Sequence, residues 1–164
     1  KLLKLINNYD MYTDFLDTPL GVIKIQATRH EIVKVVFNSK KEHLLSSSLT
    51  LKCKKQLTEY FLGKRMKFSL PLATQGTIFQ NLIWDEIQNI NFGLCVTYKD
   101  IACSINNPRA ARAVGNALNK NPINIIIPCH RVIREDGRSI HYAGGIKNKL
   151  WLIDYEASIR NILD

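Results

Sequence analysis

The chain has 164 residues, 46% of them hydrophobic, which is enough for one compact domain or two small ones and too apolar for general disorder. No run approaches the roughly 20 apolar residues of a membrane span, and the opening KLLKLINNYD (1–10) turns polar too soon for a signal peptide. The formal net charge of +9 favours a polyanionic partner, nucleic acid first and an anionic membrane surface second, although a lysine-rich genome composition would give much of the same excess.

In the first half, "TPLG" (18–21) reads as a tight turn leading into a strand, "VIKIQA" (22–27). A second strand, "EIVKVVF" (31–37), follows the turn-like Thr28-Arg29-His30. After the polar patch "NSKKEH", residues 49–62 place Leu51, Leu57 and Phe61-Leu62 at helical spacing and stop at Gly63. The expectation is a small sheet with one helix packed on it, carrying no convergent chemistry and serving as scaffold. "KFSLPLATQG" (67–76) reads as a linker.

The second half opens with three marked helices. Thr77-Ile78-Phe79-Gln80 is a capping box, with Phe79, Leu82, Ile83 and Ile90 as the apolar stripe behind it. Thr97-Tyr98-Lys99-Asp100 is a second box, opening a short helix through Ala102. Asn107-Pro108 sets a capping side chain before a proline at the first helical position of "RAARAVGNALNKN" (109–121), which stops before Pro122. Two short helices joined by a tight turn form a helix-turn-helix. Ala110, Ala111, Ala113, Gly115 and Ala117 keep the last helix slim, and Arg109 and Arg112 project from it. Close packing against a neighbouring helix and contact with a nucleic acid groove both suit these residues, which leave the choice open.

"IIIPCHRVIRE" (125–135) then sets a cysteine and a histidine side by side. The isoleucine run reads as a strand buried on both faces and ended by Pro128, which delivers Cys129 to the edge of the core. Adjacent side chains of an extended segment point oppositely, so His130 would reach the thiol only through a water or a bend. The other cysteines are Cys53, Cys95 and Cys103; none of the four forms a CxxC pair, and with His30, His43, His130 and His141 they match no zinc pattern. A reduced protein of the cytosol or nucleus, without disulfide or structural metal, is expected. His30 and His43 lie in polar stretches and read as surface residues.

"NPINIIIPCHRVI" (121–133), preceded by "TYKDIA" (97–102) and "NNPRAARAVGNAL" (106–118) and followed by "YAGG" (142–145), closely resembles the O6-alkylguanine-DNA alkyltransferases. "GTIFQNLIWDEI" (76–87) and "KNKLWLIDYE" (147–156) fit the same family in order and spacing, so the likeness covers nearly all of residues 76–164. The resemblance implies an α/β (α+β) fold: a small ribonuclease H-like structural domain of sheet plus helix (1–75), then a mainly helical domain with a winged helix-turn-helix for DNA binding and alkyl transfer (76–164).

It also implies direct damage reversal, in which an alkyl group passes irreversibly from guanine O6, and from O4 of alkylthymine, to Cys129 after nucleotide flipping. Each molecule acts once and needs no cofactor. A relay from Glu156 through His130 and a water would activate the thiol, and Asn121 would tie the helix end to the active-site segment. Arg112 would fill the stack vacated by the flipped nucleotide, and Tyr98 would crowd the target phosphate and contact the base. Lys99 and Asn107 would touch the DNA backbone, while Ala110 and Ala111 would let the helix enter the minor groove. Tyr142, Ala143 and the main chain near Val132 would line the guanine pocket. The implied partner is double-stranded DNA carrying O6-alkylguanine, bound by a monomer in the cytoplasm, or in the nucleus of a eukaryote.

Two departures bear on which alkyl groups fit. "RSIH" (138–141) stands where small residues are usual, so Ile140 is expected to narrow the pocket, and Ala143 lacks the hydroxyl of a serine. Two rival readings explain less. A cysteine hydrolase would need an oxyanion hole that nothing in the sequence supplies. A non-catalytic helix-turn-helix protein would leave the PCHR segment unused.

Overall fold

A computed structural model describes residues 11–37, 39–138 and 141–164. The opening segment 1–10 and the expected pocket-narrowing Ile140 lie outside the described residues. The chain divides into two compact units, one ending at Thr74 and the other spanning Gln75–Asp164.

The first unit is an antiparallel sheet of three strands in the order β1 (Tyr12–Thr18), β2 (Gly21–Ala27) and β3 (Ile32–Val36). The turn at 18–21 joins β1 to β2 with Thr18 opposite Gly21, whose φ of 97° lies where glycine carries no steric cost. β1 is an addition to the sequence reading. Its inward Asp14 breaks the apolar pattern, and that carboxylate is held by the Ser46 hydroxyl at 2.7 Å, Lys54 Nζ at 3.1 Å and the Phe15 N–H at 2.8 Å.

Phe15, Ile23, Ile25, Ala27, Ile32 and Val35 are buried in this unit, where helix α1 (Ser48–Phe61) packs on the strands. The buried residues of α1 include Cys53, Gln56, Leu57 and Tyr60, an i, i+3, i+4, i+7 set. The expected stripe is therefore corrected: Leu51 and Leu62 are exposed, and Leu57 alone of the residues named for it is buried.

In the second unit α2 (Ile78–Ile87) starts at the Thr77/Gln80 capping box, with both reciprocal hydrogen bonds present. Its inward face is Ile83, Trp84 and Ile87, continued by Ile90. Leu82 points outward instead, because Trp84 occupies the core and donates its indole N–H to the Ala117 carbonyl at 2.9 Å. The second box caps α3 (Tyr98–Ser104), with Thr97 and Asp100 exchanging the expected hydrogen bonds.

The turn to α4 (Ala111–Asn119) departs from expectation. Asn107 does not cap that helix; its carbonyl accepts from the Ala110 N–H at 2.9 Å, closing a turn with Pro108 at the second position, which its fixed φ favours. The helix therefore starts at Ala111, three residues after the Pro108 expected to open it.

The isoleucine run is not a strand. Residues 123–127 form a compact turn in which the Ile127 N–H donates to Ile123 at 3.1 Å and Ile125 sits at φ 71°. Ile123, Ile125, Ile126 and Ile127 are all buried, so the run records burial rather than extended backbone. Cys129–Arg131 is a single 3-10 turn, and only after it does strand β5 (Val132–Ile133) form, parallel to β4 (Val96–Thr97). The last helix, α5 (Ile146–Leu163), buries Lys149, Leu152 and Glu156 at i, i+3 and i+7. Two of its three inward side chains are thus charged. Among the described residues no helix is long and apolar enough to cross a membrane.

Candidate active site

The 3-10 turn and the inward face of α5 bring the chemistry together. Cys129 is buried, and its Sγ accepts the Asn121 Nδ2–H at 2.9 Å. The same amide nitrogen donates to the Ile127 carbonyl at 2.9 Å, and its Oδ1 accepts the Ile123 N–H at 2.9 Å, which fixes the amide's orientation. Asn121, just beyond α4, therefore clasps both ends of the isoleucine turn and touches the thiol. Burial pushes the Cys129 thiol up to about 12, against the smaller opposing pulls of Asn121 and Lys149, so it rests protonated.

His130, fully buried, faces the other way. Its Nε2 lies 2.7 Å from Glu156 Oε1. The Glu156 carboxylate also accepts Arg131 Nε at 2.8 Å, Arg131 Nη2 at 2.9 Å and the Gly93 N–H at 3.1 Å. Burial alone would raise the Glu156 carboxyl; the His130 and Arg131 partners overcome it and hold the group far below the usual carboxylate range. An ionised carboxylate can only accept, so Nε2 carries the imidazole proton and Nδ1 is left with a lone pair. That Nδ1 has no hydrogen-bond partner among the described residues. Burial holds His130 below its ordinary value despite the Glu156 charge, so the ring is neutral and basic at Nδ1.

Lys149 completes the set. Its side chain is buried, and Nζ donates to the Val132 carbonyl at 2.6 Å and lies 3.5 Å from both the Tyr98 hydroxyl and the His141 carbonyl. Burial lowers it to about 8, partly opposed by the Cys129 and Cys95 sulfurs. Tyr98 reaches this point because the parallel β4–β5 pairing sets Val96 opposite Val132 and Thr97 opposite Ile133, so α3 begins beside the segment that leaves Cys129. Burial raises the Tyr98 phenol, with the Cys129 sulfur adding to it, which keeps the hydroxyl available as a donor. Tyr142 packs its ring edge-on to His130, centroids 6.4 Å apart.

Residues 78–158 match the family described as "6-O-methylguanine DNA methyltransferase, DNA binding domain", and residues 11–74 match its ribonuclease-like domain. The chain belongs to the 6-O-methylguanine DNA methyltransferase family. A methylated-DNA–protein-cysteine methyltransferase of Methanosarcina barkeri is 41% identical over 153 residues, covering 89% of this chain and 97% of that protein. The Mycobacterium tuberculosis O6-methylguanine methyltransferase superposes with a TM-score of 0.83 at 30% identity, over 94% of this chain and 99% of that one. A structure described as the M. tuberculosis protein in complex with DNA gives 0.81 at 34% identity, over 88% and 92%.

Within this family member, Asn121, Cys129, His130, Val132, Tyr142 and Glu156 are buried, and the half-buried Tyr98 joins Val132 through Lys149. Arg112, Lys99 and Asn107 are exposed on or beside the helix-turn-helix. Of the small residues, Ala111 is half-buried and Ala143 exposed, but Ala110 packs inward at 8% exposure. Its side chain thus belongs to the core rather than to a groove-facing surface. Gly115 faces the Tyr98 ring, where an added Cβ would lie at 3.6 Å, an ordinary van der Waals contact that does not by itself demand a glycine.

Sequence reasoning gave no role to Arg131 or Lys149. The signal for Lys149 was its spacing, seven residues before Glu156 with Leu152 between, which puts all three on one helix face. Among the described residues no group of three or more His, Cys, Asp or Glu side chains could hold a metal ion.

Proposed function

We propose that Cys129 is the acceptor through which this methylated-DNA–protein-cysteine methyltransferase reverses alkyl damage in DNA. One observation carries the assignment: the thiol that contacts Asn121 sits in the same 3-10 turn as a neutral, buried His130 whose far nitrogen is anchored by Glu156. A thiol resting near 12 is a poor nucleophile, so the thiolate must be made on demand. His130 Nδ1 takes the proton through a water, and the Glu156–Arg131 pair stabilises the imidazolium that forms. Sγ then attacks the alkyl carbon in line, the S–C bond forms as the C–O6 bond breaks, and the electron pair leaves with guanine. Tyr98 donates a hydrogen bond to the departing base while Lys149 holds its hydroxyl oriented and offsets the charge.

Guanine O6 is paired and stacked in a duplex, so the nucleotide must be flipped out at a cost of a few kcal/mol. Arg112 fills the gap, Lys99 and Asn107 hold the backbone, and Ala111 gives α4 its close approach to the minor groove. Tyr142, Ala143 and the Val132 main chain receive the base. The second unit carries both binding and chemistry, and the first serves as scaffold. The product is a thioether with no route back to thiol, so each molecule reacts once, as a monomer, in the cytoplasm or a nucleus, where its four free thiols persist.

The deciding experiment incubates the protein with a duplex oligonucleotide containing O6-methylguanine and locates the added methyl by peptide mass spectrometry. One methyl per molecule on Cys129 is expected. Multiple turnovers, or a methyl on Cys53, Cys95 or Cys103, would overturn the reading.

A further inference from the structure

The turn that joins α2 to β4 touches both charged partners of the buried cluster, and the mechanism above gives it no part. Arg131 Nη1 donates to the Ile90 carbonyl at 2.7 Å, and the guanidinium carbon lies 5.7 Å from the centre of the Phe92 ring. Gly93 donates its N–H to Glu156 Oε2 at 3.1 Å. Ile90, Phe92 and Gly93 thus hold the Arg131–Glu156 pair within four positions of chain.

The backbone of the turn decides where that N–H points. The Leu94 N–H donates to the Asn91 carbonyl at 3.1 Å, closing a four-residue turn with Phe92 and Gly93 at its centre. Gly93, in the third position, has a φ of 76°, the value of a type II turn. Between type I and type II the peptide linking the two central residues rotates by about 150°, so a residue confined to negative φ would aim the N–H away from Glu156. Space makes the same demand. A Cβ added at Gly93 would lie 2.9 Å from both Cβ and Cδ of Arg160 and 3.1 Å from the Glu156 carbonyl oxygen. Two of those atoms belong to or adjoin the α5 backbone, so relieving the clash would move the helix that carries the carboxylate.

The donors divide evenly over that carboxylate. Oε1 accepts His130 Nε2 and Arg131 Nη2, while Oε2 accepts Arg131 Nε and the Gly93 N–H. A carboxyl group turns about its last carbon–carbon bond with little resistance, so its partners must set its plane. We infer that the turn Asn91–Leu94 is a clamp that orients Glu156 for its work on His130, with Gly93 and Phe92 as positioning residues. The inference rests on the proposed relay and adds to it the parts that aim it. Gly93 fixes Oε2, which leaves Oε1 directed at the imidazole, and Phe92 steadies the guanidinium that bridges both oxygens.

The test follows single-turnover methyl transfer from a saturating O6-methylguanine duplex, beside duplex affinity, across pH in the full chain. Gly93→Ala should slow transfer roughly tenfold near neutral pH, part of the loss on the order of 100-fold expected when the base itself is removed, and leave affinity within about twofold. The deficit should shrink to under about threefold by about pH 9.5, where hydroxide takes the thiol proton without His130. In a Glu156→Gln background the same substitution should cost less than about twofold, because residues acting as a unit are not lost twice.

A wild-type rate in folded Gly93→Ala would overturn the clamp. So would a deficit equal at every pH, or a full tenfold loss on top of Glu156→Gln, which are the results of a merely structural glycine. Where Gly93→Ala does not fold, Phe92→Leu decides, since it keeps the glycine and its N–H. Transfer about threefold slower and recovering with pH supports the clamp, and an unchanged rate overturns it. Glu156→Gln alone separates the two readings. If it transfers at the wild-type rate the relay itself has failed; if it is slow while Gly93→Ala is not, only the clamp has.

Discussion

Two clusters of charged residues in the second unit use the same side-chain types to opposite ends. Glu156, His130 and Arg131 are all buried, and the carboxylate is held by His130, by two guanidinium nitrogens of Arg131 and by the Gly93 N–H. Lys99, Glu135, Arg134 and Asp136 are exposed, paired at 3.4 and 3.6 Å, and bathed in solvent. In the first cluster burial makes each partner indispensable to the others, so the geometry is fixed and the imidazole keeps one tautomer. In the second, water substitutes for either partner at little cost, so the charges are free to be recruited by a ligand. Burial, not residue identity, separates the cluster to which we assign the chemistry from the cluster left open to a ligand.

The sharpest way to break this contrast is to remove a buried partner. Arg131→Ala would strip two hydrogen bonds from Glu156 and one from the Ile90 carbonyl, which Arg131 Nη1 reaches at 2.7 Å. A loss of about 3–5 kcal/mol in urea unfolding is expected, the range for leaving one member of a buried ion pair behind. A loss under about 1 kcal/mol would mean that the cluster behaves like surface charge.

The next largest effect is on rate. Glu156→Gln and His130→Gln should each slow methyl transfer to Cys129 on the order of 100-fold, the scale of a general base, while DNA binding persists. The double variant should lose little more than either single one, because the two act as a unit. Additive losses would separate Glu156 from the relay.

The same residues set an acid limit. His130, held below 6.5 by burial, is protonated more readily in the unfolded chain, and Glu156, held below 4.5 against burial by its cationic partners, likewise. Unfolding therefore takes up protons and stability falls as pH drops, first below about 6.5 and more steeply below about 4.5. His130→Gln should remove the upper part of that fall and also shrink the lower part, because it takes away one of the partners that hold the Glu156 carboxyl down; urea midpoints against pH read both.

How much of this was legible in the sequence follows the same division. Local chemistry was readable: the turn at 18–21, the capping boxes at Thr77 and Thr97, and the two short helices depend on residues a few positions apart. Cys129, His130, Asn121 and Glu156 were named through a family resemblance, not from spacing alone, and the fold pairs Asn121 with Cys129 and Glu156 with His130. What failed was inference from apolar runs. Four isoleucines between 123 and 127 look like a strand, yet a buried turn needs the same hydrophobicity, and Ile125 adopts a left-handed φ that its β-branch disfavours. Leu51 and Leu82 looked like core and face solvent, because Tyr60 and Trp84 set the inward faces of their helices. Lys149 and Arg131 look like any surface cation until the fold supplies a carbonyl, a phenol and a carboxylate for them.

The smallest expected effect sharpens the comparison from the exposed side. Lys99→Ala removes the partner of Glu135, yet both side chains are about two-thirds exposed, at 65% and 66%. Water solvates the carboxylate left behind, and the pair gave up side-chain freedom to form at all. A stability change under about 1 kcal/mol follows, and Glu135→Ala should match it within error. In a double-mutant cycle the coupling between the two should be close to zero and should vanish at high salt, where exposed charges are screened. The same Lys99→Ala variant should nevertheless lose affinity for methylated and unmethylated duplex alike, with a shallower salt dependence, as the backbone contact proposed for that lysine requires. Stability that hardly moves beside binding that does is the signature of charge held in reserve for a ligand. A coupling of several kcal/mol, as in a buried pair, would mean that the turn carrying Glu135 is part of the folded core after all.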